Sequence, residues 1–141
     1  MITVRDNIII KMFKEKDWDY NNILKYFPLD DSVFPKIYNI DDSKNKITME
    51  YLNTIKAEKE FNKINNFLKK EYKTSIVKLY NSHKLQHNDI VVPDNLNDIY
   101  LKFKFILNKI KNIINDDSFL LDIHSKNFGY TISGDLKMFD I

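Results

Sequence analysis

Two kinds of hydrophobic pattern divide the chain near residue 55. Before that point short β-prone runs alternate with turn residues; beyond it apolar positions recur every three or four residues over long stretches. Residues 2–4 (Ile-Thr-Val) and 8–13 (Ile-Ile-Ile-Lys-Met-Phe) predict two strands around a turn at Arg5-Asp6-Asn7. Asp17 to Phe27 predicts a short helix capped by Asp17 or Asp19, with Trp18, Ile23, Leu24 and Phe27 at helical spacing. Pro28 and the cluster Asp30-Asp31-Ser32 end it. Residues 33–40 and 46–52 then predict two further strands around a polar turn at 41–45.

Residues 57–83 predict an amphipathic helix with a break near Thr74. Its face is Phe61, Ile64, Leu68, Tyr72, Ile76, Leu79 and His83, while Lys59, Lys63, Lys69, Lys70, Lys73 and Lys78 read as a solvated side. Pro93-Asp-Asn-Leu-Asn97 opens a second helix over 96–115, with Ile99, Phe103, Ile106, Ile110 and Ile113 on one face; Asp116-Asp117-Ser118 ends it. Near the end, Phe128–Ile132 and Leu136–Phe139 predict a hairpin around Ser133-Gly134-Asp135. No internal repeat or flexible linker separates these parts. The expectation is an α+β unit: a small antiparallel sheet with one short helix in residues 1–54, then helices and a hairpin in residues 55–141.

Composition changes this picture little. At 141 residues, with 43% hydrophobic and 13% aromatic residues, the chain can bury a sizeable core. A net charge of +2 demands no nucleic-acid partner, and Arg5 is the sole arginine, which weakens any bidentate reading of phosphates. The absence of cysteine removes disulfide and thiolate chemistry and fits a reducing compartment. Met-Ile-Thr-Val-Arg-Asp has no apolar signal core and no run reaches transmembrane length, so a soluble, cytoplasmic protein without a membrane partner is expected. The Lys, Asn and Ile bias points to an AT-rich genome and, with the compact design, suits a phage or other mobile-element protein. His83 and His87, four apart and without carboxylate geometry, read as surface residues.

Chemistry concentrates in Leu121–Ile141. Asp122 is followed five positions later by Asn127, and Asn127 thirteen positions later by Asp140. The hairpin between them would return Asp140 to the side of Asn127, so that a carboxylate and an amide oxygen could share a hard cation. Mg²⁺ favours such oxygen ligands and commonly keeps one or two protein groups plus substrate phosphates.

This spacing resembles the protein-kinase-like superfamily, in which a catalytic Asp precedes a metal-binding Asn and a hairpin ending in a metal-binding Asp. The wording Asp-Ile-His-Ser-Lys-Asn is closer to the Asp-x-His-x-x-Asn loops of atypical and small-molecule kinases than to the His-Arg-Asp version. The resemblance implies a minimal kinase-like fold that uses ATP and Mg²⁺. Asp122 would orient the acceptor hydroxyl, and Asn127 and Asp140 would hold the metal. Ile8-Ile-Ile-Lys11 matches the strand whose Lys holds the α- and β-phosphates. Met49-Glu50-Tyr51-Leu52 matches the approach to the hinge: Met49 behind the adenine, the Glu50 carbonyl and the Leu52 amide facing it.

Three parts of the family pattern are missing. No Glu occurs between Lys16 and Met49 to pair with Lys11, and Asp19 offers a shorter arm. Gly129 and Gly134 are the only glycines, and the seven residues before Ile8 leave no room for a Gly-rich phosphate loop. Activation segment and peptide-binding helices have no counterpart. Two readings follow: an ATP/Mg²⁺-dependent phosphotransferase with an unknown hydroxyl acceptor, or a kinase-like binding or inhibitory module with weak or no turnover that acts through a protein partner. A homodimer or partner would complete the truncated site.

Overall fold

The first strands meet at a turn that demands left-handed backbone. Asp6 and Asn7 have φ of +50° and +63°, the type I′ geometry whose twist matches a two-residue hairpin and which Asn and Asp tolerate. The turn joins β1 (Ile2–Arg5) to β2 (Ile8–Met12). The computed structural model describes residues 2–85, 89–115 and 121–139. Asp17 caps α1 (Trp18–Tyr26) by accepting from the Tyr20 amide at 2.9 Å. Strands β3 (Ile37–Asp41) and β4 (Lys46–Glu50) follow, and the sheet is antiparallel in the order β1-β2-β4-β3. Ile9 lies opposite Met49 and Lys11 opposite Ile47, so these four share one face. Ile47 and Met49 are fully buried on it.

Three strand and helix expectations shift. The strand expected over 33–40 begins only at Ile37. Val33 and Phe34 donate instead to the Asp30 carbonyl, and Pro35 has no amide to give a ladder. The two side chains are nonetheless completely buried, and the Val33 carbonyl accepts from the Met138 amide at 2.9 Å. The strand expected over 46–52 ends at Glu50, because Asn53 leaves the sheet and exchanges two backbone bonds with Tyr130, each 2.9 Å. Trp18, placed on the apolar side of α1 by spacing, is 64% exposed; Tyr20 and Tyr26 bury that side with Ile23.

The helical part is α2 (Thr54–Tyr72), α3 (Ile76–Asn81) and α4 (Asp94–Ile113). The break near Thr74 is a left-handed Lys73 (φ +51°) that ends α2, after which Ser75 caps α3 by accepting from the Lys78 amide. Phe61 of α2, Ile64, Leu68, Ile76 and Leu79 are buried, while the lysines of this stretch face outward. From α4, Phe103, Ile106 and Ile110 are buried, joined by Tyr100 and Leu107. The final hairpin pairs β5 (Phe128–Tyr130) with β6 (Leu136–Met138) around Gly134 at φ +89°. Phe128 anchors it: its ring lies 5.4 Å from that of Phe61 and 5.1 Å from that of Phe103. Burying one such ring is worth about 1.5–3 kcal/mol, which fixes the hairpin onto both long helices. The architecture is therefore α+β, a small antiparallel sheet followed by helices, as expected. The end of α4 expected at Asp116–Ser118 and the lead-in Phe119-Leu120 lie outside the described residues, as does His87.

Candidate nucleotide and catalytic-loop site

Where the sheet meets the helical part, a cavity of about 170 Å³ opens between β2, β4 and the end of the hairpin. Its walls include Ile9, Lys11, Met49, Glu50, Leu52 and Phe139. Lys11, Met49, Glu50 and Leu52, singled out from two separate stretches, thus share one cavity. Strand order explains the meeting: β4 lies beside β2, so the Lys-bearing strand and the Met-Glu strand are neighbours. Ligand pockets commonly reach roughly 300–1,000 Å³; this one is smaller. The Lys11 ammonium stands 5.8 Å from the centre of the Phe139 ring, within cation–π range.

The loop 122–127 is joined to this cavity through backbone. Phe139, which closes the cavity, donates its amide to the Asn127 carbonyl at 3.0 Å. The Asn127 side chain is 2% exposed, and its Nδ2 donates to the Asp122 carbonyl at 2.7 Å. That bond holds the loop 122–127 closed and leaves Oδ1 accepting from no described residue. An amide oxygen is the kind of ligand a hard cation takes, so Oδ1 fits Mg²⁺ by its chemistry. Asp140 follows Phe139 directly in sequence and lies outside the described residues. Among the described residues no three His, Cys, Asp or Glu side chains gather as a metal cage.

Asp122 presents its carboxylate to solvent, its side chain 64% exposed. His124 Nε2 stands 3.3 Å from Asp122 Oδ2. The other imidazole nitrogen, Nδ1, accepts from the Lys126 amide at 3.2 Å, which places the ring proton on Nε2, toward the carboxylate. Asp19 lies exposed in the first turn of α1, and no Lys11–Asp19 ion pair occurs among the described residues.

Several residues at the site escaped the pattern. Ile2 and Val4 lie opposite Lys11 and Ile9, on the cavity's face of the sheet, and are 62% and 53% exposed. Ile9 sits two before Lys11, so strand alternation carries a signal for it. Phe139 was read only as part of a strand. Lys137 of β6 had one signal, a charge inside Leu136-Lys-Met-Phe139; its ammonium binds the Glu50 carboxylate at 2.6 Å, with side chains 5% and 16% exposed.

Among solved structures, the choline kinase LicA from Streptococcus pneumoniae is similar at 20% identity and a TM-score of 0.41, covering 99% of this chain and 57% of that one. The chain thus spans little more than half the length of that kinase. No family model and no curated protein matches the sequence. Among the described residues no helix is long and apolar enough to cross a membrane.

Proposed function

We propose that the chain is an ATP- and Mg²⁺-dependent phosphotransferase acting on a hydroxyl acceptor. One observation carries the reading: Phe139 lines the cavity that holds Lys11, Met49, Glu50 and Leu52, and its amide is bonded to Asn127, whose side chain in turn holds Asp122. The nucleotide end and the acceptor end of a transfer reaction are thereby two hydrogen bonds apart.

In this reading the adenine enters beside Met49, with the backbone of Glu50 to Leu52 along its edge, and Lys11 steadies the α- and β-phosphates. Asn127 Oδ1 and the Asp140 carboxylate would hold Mg²⁺, which when bound neutralises charge on the β- and γ-phosphates. Asp122 positions the acceptor hydroxyl and takes its proton. The hydroxyl oxygen bonds to the γ-phosphorus as the bond from that phosphorus to the β–γ bridging oxygen breaks, and ADP leaves. His124 at Oδ2 orients the carboxylate and leaves Oδ1 to the hydroxyl. Positioning and charge stabilisation supply the acceleration.

Calorimetric titration with ATP, with and without Mg²⁺, tests this on the wild type, Asp140→Ala and Asp122→Ala. Mg²⁺-dependent binding lost in Asp140→Ala and kept in Asp122→Ala is the expected result, with transfer to water or added alcohols absent from both. Binding weaker than millimolar in the wild type, about −4 kcal/mol, would overturn the nucleotide reading. Binding without any transfer would leave a kinase-like binding module.

A further inference from the structure

Residues 50–53, which leave the sheet and enter α2, touch the hairpin at three successive points. The Glu50 carboxylate binds Lys137 at 2.6 Å, across 87 residues of sequence. The backbone at Leu52 lies against Gly129 so closely that a Cβ on Gly129 would stand 2.6 Å from the Leu52 Cβ. Asn53 and Tyr130 exchange their two backbone bonds. Gly129 and Lys137 are themselves cross-strand partners in the hairpin. One rung of the hairpin thus grips the chain on both sides of Tyr51.

The chemistry of that rung is not what stability alone would select. Lys137 is flanked by Leu136 and Met138, both buried, and is itself only 4% exposed. Desolvating two charges largely cancels their attraction, and an apolar pair of similar volume is often at least as stable. An ion pair does what an apolar contact does not: it fixes one atom against another. Glu50 Oε1 is also directed by the Lys36 amide at 3.3 Å, while the Glu50 amide donates to the Lys36 carbonyl at 2.8 Å. The carboxylate is therefore held from both sides. Glu50 lines the 170 Å³ cavity and also a second groove of about 590 Å³ that Lys137 borders, so the pair stands in the wall between them.

We infer that the Glu50–Lys137 pair is a positioning clasp that sets the nucleotide-facing backbone of residues 50–52 against the hairpin carrying the metal-side residues. Lys137 acts through Glu50, and β6 passes through Lys137 two residues before Phe139. Displacement of the clasp changes the distance between the purine end and the metal end of the site, and hence the coupling of nucleotide and Mg²⁺ binding. This rests on the nucleotide reading above for its consequence, but the clasp itself does not.

The test uses the full chain as wild type, Lys137→Met, the double variant Glu50→Gln/Lys137→Met, and Glu50→Asp. Three quantities are read: thermal midpoint, amide hydrogen exchange at Glu50 and Asn53, and Mg-ATP affinity. Lys137→Met strands a half-buried carboxylate and lowers the midpoint. The double variant is expected to recover the midpoint while its Glu50 and Asn53 amides exchange about tenfold faster, as local opening without global unfolding permits. Its Mg-ATP affinity falls about tenfold, within the ordinary range of coupling between sites. Glu50→Asp, which keeps the charge and shortens the arm, shifts exchange in the same direction if the double variant does not fold. A recovered midpoint with wild-type exchange at both amides would overturn the clasp. A wild type that binds no nucleotide would remove the nucleotide reading alone, since exchange still decides the clasp.

Discussion

Gly129 illustrates how a single backbone position constrains the site. A methyl there would also lie 3.2 Å from the Asn53 carbonyl oxygen and from the Leu52 carbonyl carbon, and neither backbone group can rotate aside. Overpacking of this kind costs about 1–3 kcal/mol. Gly129→Ala is accordingly expected to lower stability by that amount in denaturant titration, whereas Gly134→Ala, with nothing within 4 Å of its Cβ but φ at +89°, suffers only backbone strain. The two variants differ in a second respect. Only Gly129→Ala pushes residues 52–53 from the hairpin, so only it should weaken nucleotide binding; equal effects from both would argue against close approach as the cause.

At the scale of elements, the connection between α1 and the sheet is made by a hydroxyl. Tyr20 is fully buried, and its OH donates to Asp42 at 2.5 Å, tying α1 to the β3–β4 turn. The hydrogen bond to Asp42, with burial second, pushes the Tyr20 hydroxyl up to about 12, and burial does the same for Tyr80. An unfolded chain ionises tyrosine near pH 10. The folded state thus holds these protons more tightly: the stabilisation is complete below pH 10 and is lost as pH rises toward 12. Tyr20→Phe is expected to cost about 1 kcal/mol at neutral pH and to flatten the decline in stability between pH 10 and 12. An unchanged alkaline slope in urea titrations would sink this assignment. Elements were legible wherever a local rule decided them. Asp6-Asn7, Asp17, the break near Thr74 and the helical spacing of Phe61, Ile64 and Leu68 each act within a few residues. Val33-Phe34 was misread because burial alone does not distinguish a strand from a plug; Pro35 and the Asp30 turn decide it. The Glu50–Lys137 pair and the contact of Leu52 with Gly129 were invisible for a related reason, since each depends on how two distant elements dock.

For the whole molecule, the sheet and the helical part are joined at the cavity, at the Val33–Met138 bond and at residues 50–53, so a ligand held across that junction should stabilise all of it. Anything that binds only the folded state adds RT ln(1 + [L]/Kd), about 2.7 kcal/mol at a hundredfold excess over Kd. Mg-ATP at that excess is therefore expected to raise the thermal midpoint by several degrees, and ATP with a chelator by less. Asn127→Ala removes Oδ1 and also the bond to the Asp122 carbonyl, so its own midpoint will be lower. The informative quantity is the increment that Mg²⁺ adds to the ATP-induced shift within each variant, in which that intrinsic loss cancels. This increment should vanish in Asn127→Ala and persist in Asp122→Ala, whose carboxylate in the proposed reaction serves the acceptor rather than the metal. Lys11→Met should reduce the shift with and without Mg²⁺ alike, because in the proposed reaction its partner is the phosphate chain. An Mg²⁺ increment that survives in Asn127→Ala would move the metal away from the catalytic loop, and with it the argument that Phe139 joins the two ends of a phosphoryl-transfer site.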